Sequence, residues 1–155
     1  MKNVRFISIG VLLFLASCAM LEDKNAKVED ACAKFGAGLK GDVTVLANLL
    51  TSNFGFYMNG TLLEDKTAFI ADTAGYPMPP EYSFSSNKIT VTDKTANAEF
   101  LITMSTYGTQ VSLPTDLSLR NDGDMMASKW LVDRWDVNIS TSMGQAMKFS
   151  SILKR

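Results

Sequence analysis

Apolar residues recur with a helical period in the first third of the chain and with a strand period beyond residue 81. In the first segment they fall at spacings of 4, 3 and 4, which predict one buried helix face, formed by Val28, Cys32, Phe35 and Leu39. Three glycines between residues 36 and 41 weaken the end of this helix. The pattern therefore predicts a helix that stops before residue 42.

Two aspartates mark the starts of further helices. Asp42 and Asp65 each precede a stretch with helical apolar spacing, where an aspartate can cap the free backbone N–H groups. Between these helices, residues 54–58 are aromatic and strand-like, and Asn59-Gly60 is a strong signal for a tight hairpin. The sequence thus predicts a second helix, a hairpin and a third helix, in that order.

Four longer strands are predicted in the remaining chain. Residues 82–92, 96–107, 111–120 and 126–139 alternate apolar and polar side chains, as half-buried strands do. Pro114 has no N–H to donate to a neighbouring strand, so it predicts an edge, a bulge or a break at that point. The element order indicates an α+β fold with an antiparallel sheet.

The N-terminus has the pattern of an export signal. Lys2 and Arg5 precede 12 uncharged, mostly apolar residues, 6–17, which are too few to span a bilayer but suit a signal-peptide core. The run ends in Leu15-Ala16-Ser17-Cys18, which resembles the bacterial lipobox. This resemblance implies cleavage after residue 17 and lipid on Cys18, and two or three acyl chains hold a protein stably at a membrane surface. Ala19 in place of Asp resembles the Gram-negative pattern for the outer membrane, with the domain facing the periplasm.

Charge and composition exclude several functions. The 155 residues include 15 basic and 16 acidic ones, and loss of residues 1–17 would take the net charge from −1 to −3. There is no basic surplus for nucleic-acid binding. The chain has no His, which removes the commonest general base and metal ligand, and we expect no cofactor. Cys32 would be the one thiol left, and its place in an apolar stripe favours a buried residue over a nucleophile.

The element order resembles the nuclear transport factor 2-like superfamily, and its SnoaL-like branch in particular. The matching phrases are residues 39–43, 49–54 and 65–70, and Lys129-Trp130-Leu131-Val132-Asp133-Arg134-Trp135 in the last strand. The resemblance implies a cone-shaped, curved antiparallel sheet wrapped around N-terminal helices, with a pocket at the open end. We divide the chain into a signal peptide (1–17), a lipidated tether (18–25), this domain (26–140) and a C-terminal tail (141–155).

Alternation and the resemblance together suggest which residues line that pocket. In the last strand two sets compete, one with Trp130, Val132, Arg134 and Asp136, the other with Leu131, Asp133, Trp135 and Val137. The resemblance favours the first set, although Arg134 and Asp136 also suit an exposed ion pair of little energetic value. Together with residues of other elements, the candidate pocket comprises Tyr57, Tyr76, Tyr82, Phe100, Ile102, Met104, Trp130, Val132, Arg134 and Asp136.

Three functions fit these residues. The first is a non-catalytic pocket domain, anchored in the envelope, that binds a small apolar ligand or a protein partner. The second is a SnoaL-like isomerase or cyclase for a hydrophobic carbonyl compound, with Asp136 as base and Tyr57, or Tyr76 and Tyr82 around the proline-rich loop, as hydrogen-bond donors. The third is a homodimer formed through the outer sheet face. The absence of His favours binding over catalysis. The tail carries Lys148, Lys154 and Arg155 and could touch a membrane or cover the cone.

Overall fold

The protein folds into three helices packed against one six-stranded sheet. The computed structural model describes residues 24–106, 108–123 and 128–138. The predicted signal peptide, most of the tether and the C-terminal tail lie outside the described residues. None of the described helices is long and apolar enough to cross a membrane.

The helices and strands follow the predicted order. Helix α1 covers residues 24–39, α2 is Val43–Leu49 and α3 is Lys66–Gly75. The strands are β1 (Leu50–Met58), β2 (Thr61–Asp65), β3 (Ser83–Val91), β4 (Thr95–Thr106), β5 (Thr109–Asn121) and β6 (Trp130–Val137). The α+β architecture and the curved, unclosed sheet confirm the predicted fold class.

Local chemistry accounts for the helix starts and the hairpin. The Asp42 carboxylate accepts the N–H of Val45 at 3.1 Å, and the Asp65 carboxylate accepts the N–H of Ala68 at 2.9 Å, so both predicted caps are confirmed. Asn59 and Gly60 have φ angles of 49° and 77°. These left-handed values close the two-residue hairpin between β1 and β2, as predicted.

Helix α1 runs through two of the glycines that were expected to weaken it. A Cβ atom at Gly36 would lie 2.7 Å from Cβ of Phe84, and one at Gly38 would lie 2.5 Å from Cγ of Leu46. Both glycines are therefore needed for the close approach of α1 to β3 and α2, and this packing offsets their poor helix propensity.

Strand order places β6 in the middle of the sheet. The order is β2-β1-β6-β5-β4-β3, and β6 pairs antiparallel with β5 but parallel with β1. The sequence predicted only antiparallel neighbours. Pro114 pairs with Leu101 on β4 but lies outside the stretch of β5 that pairs with β6, so its missing N–H falls where β5 has one neighbour.

A bulge in β6 changes which residues face the core. Leu119 pairs with Val132, whereas the adjacent Ser118 pairs with Arg134, so Asp133 is an extra residue without a partner on β5. Trp130 and Val132 face the core before the bulge, and Trp135 and Val137 face it afterwards. Neither of the two alternating sets predicted for the last strand therefore holds along its whole length.

Aromatic rings fill the space between the helices and the concave side of the sheet. Phe35 of α1 lies 5.4 Å from Trp135 and 5.6 Å from Phe100, both edge-on, measured between ring centroids. Phe69 of α3 packs 5.8 Å from Trp135. The Trp135 indole N–H donates to Thr115 Oγ1 at 2.9 Å, and Thr115 donates to the carbonyl of Phe100 at 2.9 Å. We call these five residues the closed cluster.

Candidate functional site

An open cleft of about 450 Å³ lies between the N-terminal helices and the beginning of β6. One wall is formed by side chains of α1 and α2. The other comes from Ser128, Lys129, Trp130 and Leu131. Its volume falls in the range typical of small-molecule sites. We refer to it as the Trp130 cleft.

Helical spacing brings the α1 side chains to one wall of the cleft. Lys27, Ala31 and Lys34 are four and three residues apart and share a helix face. This face adjoins the buried face that carries Val28, Cys32 and Phe35, and the buried Ala31 belongs to both. Helix α1 therefore has one side in the core and another side at the cleft.

Helix α2 forms the second part of the wall, through Thr44, Val45, Asn48 and Leu49. Asp42 fixes its start, and Lys66 holds its end. The Lys66 ammonium donates to the carbonyls of Ala47 at 2.8 Å and Leu50 at 2.7 Å. A cation at the last turn satisfies carbonyls that the helix leaves unpaired, so the position of α2 beside the cleft is well determined.

Trp130 is the most unusual residue of the cleft. Its side chain is only 4 % exposed, and its indole N–H has no hydrogen-bond partner among the described residues. Leaving a buried donor unpaired costs about 1–3 kcal/mol. Buried polar atoms without partners are rare in folded proteins. Its presence in a cleft wall makes this N–H a candidate for pairing with a ligand.

Leu131 adds an apolar surface that the core does not use. It is 8 % exposed but lies outside the contiguous core cluster, unlike every other buried apolar residue of the described chain. With Ala31, Val45 and Leu49 it gives the cleft an apolar lining.

The charged residues of the lining are mainly basic. Lys27, Lys34 and Lys129 stand against a single acid, Asp30. Lys34 forms an ion pair with Asp30 one helical turn away. Lys129 forms no ion pair among the described residues. The cleft is thus locally positive on a chain whose net charge is −1.

Several predicted pocket residues are core residues in the structure. Phe100, Ile102 and Val132 are completely buried, and Met104 packs against the core from its edge. Of the ten candidates, only Trp130 lines the cleft.

Arg134, Asp136 and Tyr57 meet on the other face of the sheet. Because Trp135 and Val137 face the core, the residues between and before them point outward. The Arg134 guanidinium bonds the Asp136 carboxylate at 2.6 Å and lies 3.7 Å from the Tyr57 ring centroid. Asp136 also accepts the N–H of Gly60 at 3.3 Å. The Asp136 carboxylate is thus engaged by a guanidinium and a backbone N–H on the face away from the core.

Tyr76 and Tyr82 flank the proline-rich loop and lie apart from that group. Tyr76 is 49 % exposed. Tyr82 packs against the core, and burial, followed by the nearby charge of Glu81, raises the pKa of its hydroxyl. The two residues sit on a loop anchored by the N–H of Met78, which donates to the carbonyl of Leu39 at 2.8 Å.

The described interior contains little that could perform acid–base chemistry. Its buried polar side chains are threonines, Thr51, Thr73 and Thr115. Each of them makes a hydrogen bond. Burial, with a smaller effect of Glu29, raises the pKa of the Cys32 thiol to about 12, which keeps it protonated near neutral pH. No cluster of metal-binding side chains occurs among the described residues.

Sequence reasoning missed the cleft because three separate segments build it. The face formed by Lys27, Ala31 and Lys34 looks like an ordinary solvated helix side. Lys129 directly precedes β6, and Leu131 belongs to the set of that strand that the resemblance does not favour as pocket-facing. Lys27 and Lys34 lie among acidic residues in the sequence and far from Lys129, so the three lysines form no motif that could have signalled the cleft.

No protein-family model and no curated protein sequence matches this chain. Solved structures do match in fold. A nuclear transport factor 2-like protein of unknown function from Silicibacter pomeroyi has a TM-score of 0.60 at 13 % identity, covering 75 % of this chain and 95 % of its own. One from Shewanella oneidensis has a TM-score of 0.57 at 10 % identity, covering 75 % and 99 %.

A ketosteroid isomerase-like protein from Erwinia carotovora atroseptica also matches, with a TM-score of 0.53 at 12 % identity, covering 73 % of this chain and 93 % of its own. At such identities the likeness concerns the fold alone. The chain therefore has a nuclear transport factor 2-like fold, as its element order suggested, and its activity has to be argued from its own residues.

Proposed function

We propose that this protein is a lipid-anchored protein of the bacterial envelope whose nuclear transport factor 2-like domain binds a ligand without transforming it. Cys18 carries the lipid, and the domain sits at the membrane surface, facing the periplasm if the envelope is Gram-negative. The single observation that carries the binding role is the buried indole N–H of Trp130, which lacks a hydrogen-bond partner among the described residues and belongs to a side chain in the wall of an open cleft.

The chemistry of the interior favours binding over an isomerase or cyclase. Such an enzyme needs a carboxylate base near a hydrogen-bond donor inside an apolar pocket. Asp136 is bonded to Arg134 on the outer face, and Asp133 accepts the Thr51 hydroxyl at 2.8 Å. Both carboxylates are therefore engaged in hydrogen bonds to other side chains, and neither lies beside a hydrogen-bond donor inside an apolar pocket.

The outer face of the sheet offers less support for a dimer than for a solvated surface. Its polar residues bond one another across strands, as Thr103 does with Ser112 at 3.0 Å and Ser118 with Asn97 at 3.0 Å. A dimer through this face has to replace those bonds.

The binding role is tested by a substitution that fills the cleft. Thr44 is exposed and lines it, so Thr44→Trp places a large ring in the space. Thr67→Trp adds the same ring at an exposed position on α3, outside the cleft. Residues 19–155, which contain every described helix and strand, are purified and any bound small molecule is identified by mass spectrometry. We expect a ligand on the parent chain and on T67W but not on T44W. Equal loading of all three contradicts the assignment to this cleft.

The anchor is tested separately. Cells that take up an alkyne-tagged fatty acid should label the full chain in the membrane fraction, and Cys18→Ala should abolish both the label and the membrane association. Retention of label in C18A contradicts lipidation at this residue.

A further inference from the structure

The apolar lining of the Trp130 cleft defines the body of its ligand. Ala31, Val45, Leu49 and Leu131 are aliphatic and line the space without polar groups of their own. Covering an aliphatic surface with a hydrocarbon is favourable because it removes that surface from water. Such a surface offers no hydrogen bonds that could orient a polar molecule. A ligand that removes this surface from water therefore has an apolar chain.

The Trp130 indole defines one end of the ligand. Its buried N–H can only donate, and it has no acceptor among the described residues. The other indole of the chain, on Trp135, has Thr115. A ligand that enters the cleft as far as Trp130 gains most when it brings an acceptor to this N–H, since hydrogen bonds to charged acceptors are stronger than those to neutral ones.

The lysines define the charge of that end. Lys129 adjoins Trp130 in sequence and lines the same cleft, while Lys27 adds positive charge on the α1 wall. Asp30 is occupied by its ion pair with Lys34. An anionic head group fits this lining, and a cationic one is repelled.

The charge of the chain's own tail argues against it as the occupant. Residues 139–155 carry three basic residues and no acidic one. A segment of that charge meets repulsion from a lysine-rich lining.

We propose that the Trp130 cleft binds a free single-chain amphiphile with an anionic head group, which pairs with the Trp130 N–H and the nearby lysines while its hydrocarbon chain covers Leu131 and the helix wall. This inference rests on the proposed binding function. It adds the ligand class, and the volume of about 450 Å³ suits one small molecule rather than a bilayer surface.

The test uses the two indole N–H signals in the ¹H–¹⁵N spectrum of residues 19–155, since the chain has two tryptophans. The probes are decanoate, decyl phosphate, decanol and decyltrimethylammonium, all below their micellar concentrations, and anionic phospholipid vesicles. We expect both anions to move the Trp130 signal downfield and to leave the Trp135 signal in place. The difference between decanoate and decyl phosphate identifies the preferred head group.

Two variants assign the contacts. Trp130→Phe keeps the apolar wall but removes the donor, and it should weaken anion binding by about tenfold. Lys129→Gln should weaken it by about two- to fivefold, whereas Lys88→Gln, at an exposed site on β3, should change nothing. Circular dichroism verifies that each variant is folded.

Two kinds of outcome overturn the proposal. If decanol or the cation moves the Trp130 signal at the same concentration as the anions, the cleft is a binding site but the anionic class is wrong. If only vesicles move the signal, or no probe does, the free amphiphile is wrong. The proposed binding function is then decided separately, by whether mass spectrometry finds a ligand on the parent chain and on T67W but not on T44W.

Discussion

The two tryptophans of β6 stand five residues apart in sequence and in opposite environments. Trp135 is 1 % exposed, its ring contacts Phe35, Phe56 and Phe69, and its N–H donates to Thr115. Trp130 is almost as buried, but its N–H has no partner in the described chain and its ring borders an open cleft.

Folding alone explains one end of the strand, whereas the other end supports the proposed binding role. At Trp135 every polar group is satisfied and aromatic rings fill the surroundings, so folding alone accounts for the arrangement. At Trp130 a buried donor lacks a partner in the described chain, which is energetically unfavourable, and it lies on a residue that lines an open cleft. A polar group that folding leaves unpaired is a better pointer to a ligand than a residue that merely lines a cavity.

The largest expected effect is a loss of stability when the closed cluster is disrupted. Replacing Trp135 with Ala removes a fully buried aromatic ring and the hydrogen bond that its indole N–H donates to Thr115, so we expect the free energy of unfolding to fall by about 3–5 kcal/mol. Urea denaturation followed by far-ultraviolet circular dichroism measures this. A loss below about 1 kcal/mol would show that the closed cluster is looser than its geometry indicates.

Two glycine substitutions, one at a tight contact of α1 and one at an open position of α3, test how closely α1 packs against the sheet. A methyl group at Gly36 meets Phe84 at 2.7 Å, so Gly36→Ala should cost about 1–3 kcal/mol through overpacking. Gly75 ends α3 with open space around its added Cβ atom and without a left-handed φ, so Gly75→Ala should stabilise by about 0.4–1 kcal/mol. Midpoints of urea unfolding give both values. Similar small shifts for the two variants would contradict the close approach of α1 to β3.

The sharpest test of the comparison replaces each tryptophan with Phe. Trp135→Phe leaves the buried Thr115 hydroxyl without its donor and should cost about 1–3 kcal/mol. Trp130→Phe removes a buried donor that has no partner in the described part of the chain, so the free energy of unfolding without ligand should change by less than about 0.5 kcal/mol, or rise. Equal losses would mean that the Trp130 N–H is satisfied in solution, which removes the main argument for the cleft.

Local chemistry in the sequence predicted much of the fold. Asp42, Asp65 and Asn59-Gly60 act on their immediate neighbours, and each does so as expected. The parallel pairing of β1 with β6 joins segments about 80 residues apart, and no local pattern specifies such a contact. The bulge at Asp133 depends on that pairing as well, because β6 must match two neighbours at once.

The candidate site was harder to predict for the same reason. Strict alternation put Arg134 and Asp136 beside Trp130, and one inserted residue moved them to the opposite face. The Trp130 cleft uses α1 and α2, which are neighbours in sequence, together with β6, which begins about 80 residues further along the chain. Its basic lining can be read from the sequence only after the fold has brought Lys27, Lys34 and Lys129 together.

The last prediction concerns Cys32, on the buried face of α1, whose titration has the smallest effect on stability at neutral pH. Burial first and the charge of Glu29 second raise the pKa of its thiol from 9.0 to about 12. Above pH 9 the unfolded chain loses this proton while the folded chain keeps it, so the unfolded state binds fewer protons. Stability then falls as pH rises, by about 1 kcal/mol per pH unit between pH 9 and 12. Cys32→Ala removes this contribution, so the difference in unfolding free energy between the two chains should be constant from pH 6 to 8 and shrink from pH 9 to 10.5. A constant difference over the whole range would mean that solvent reaches the thiol, and that α1 lacks the closed face that distinguishes it from its side at the cleft.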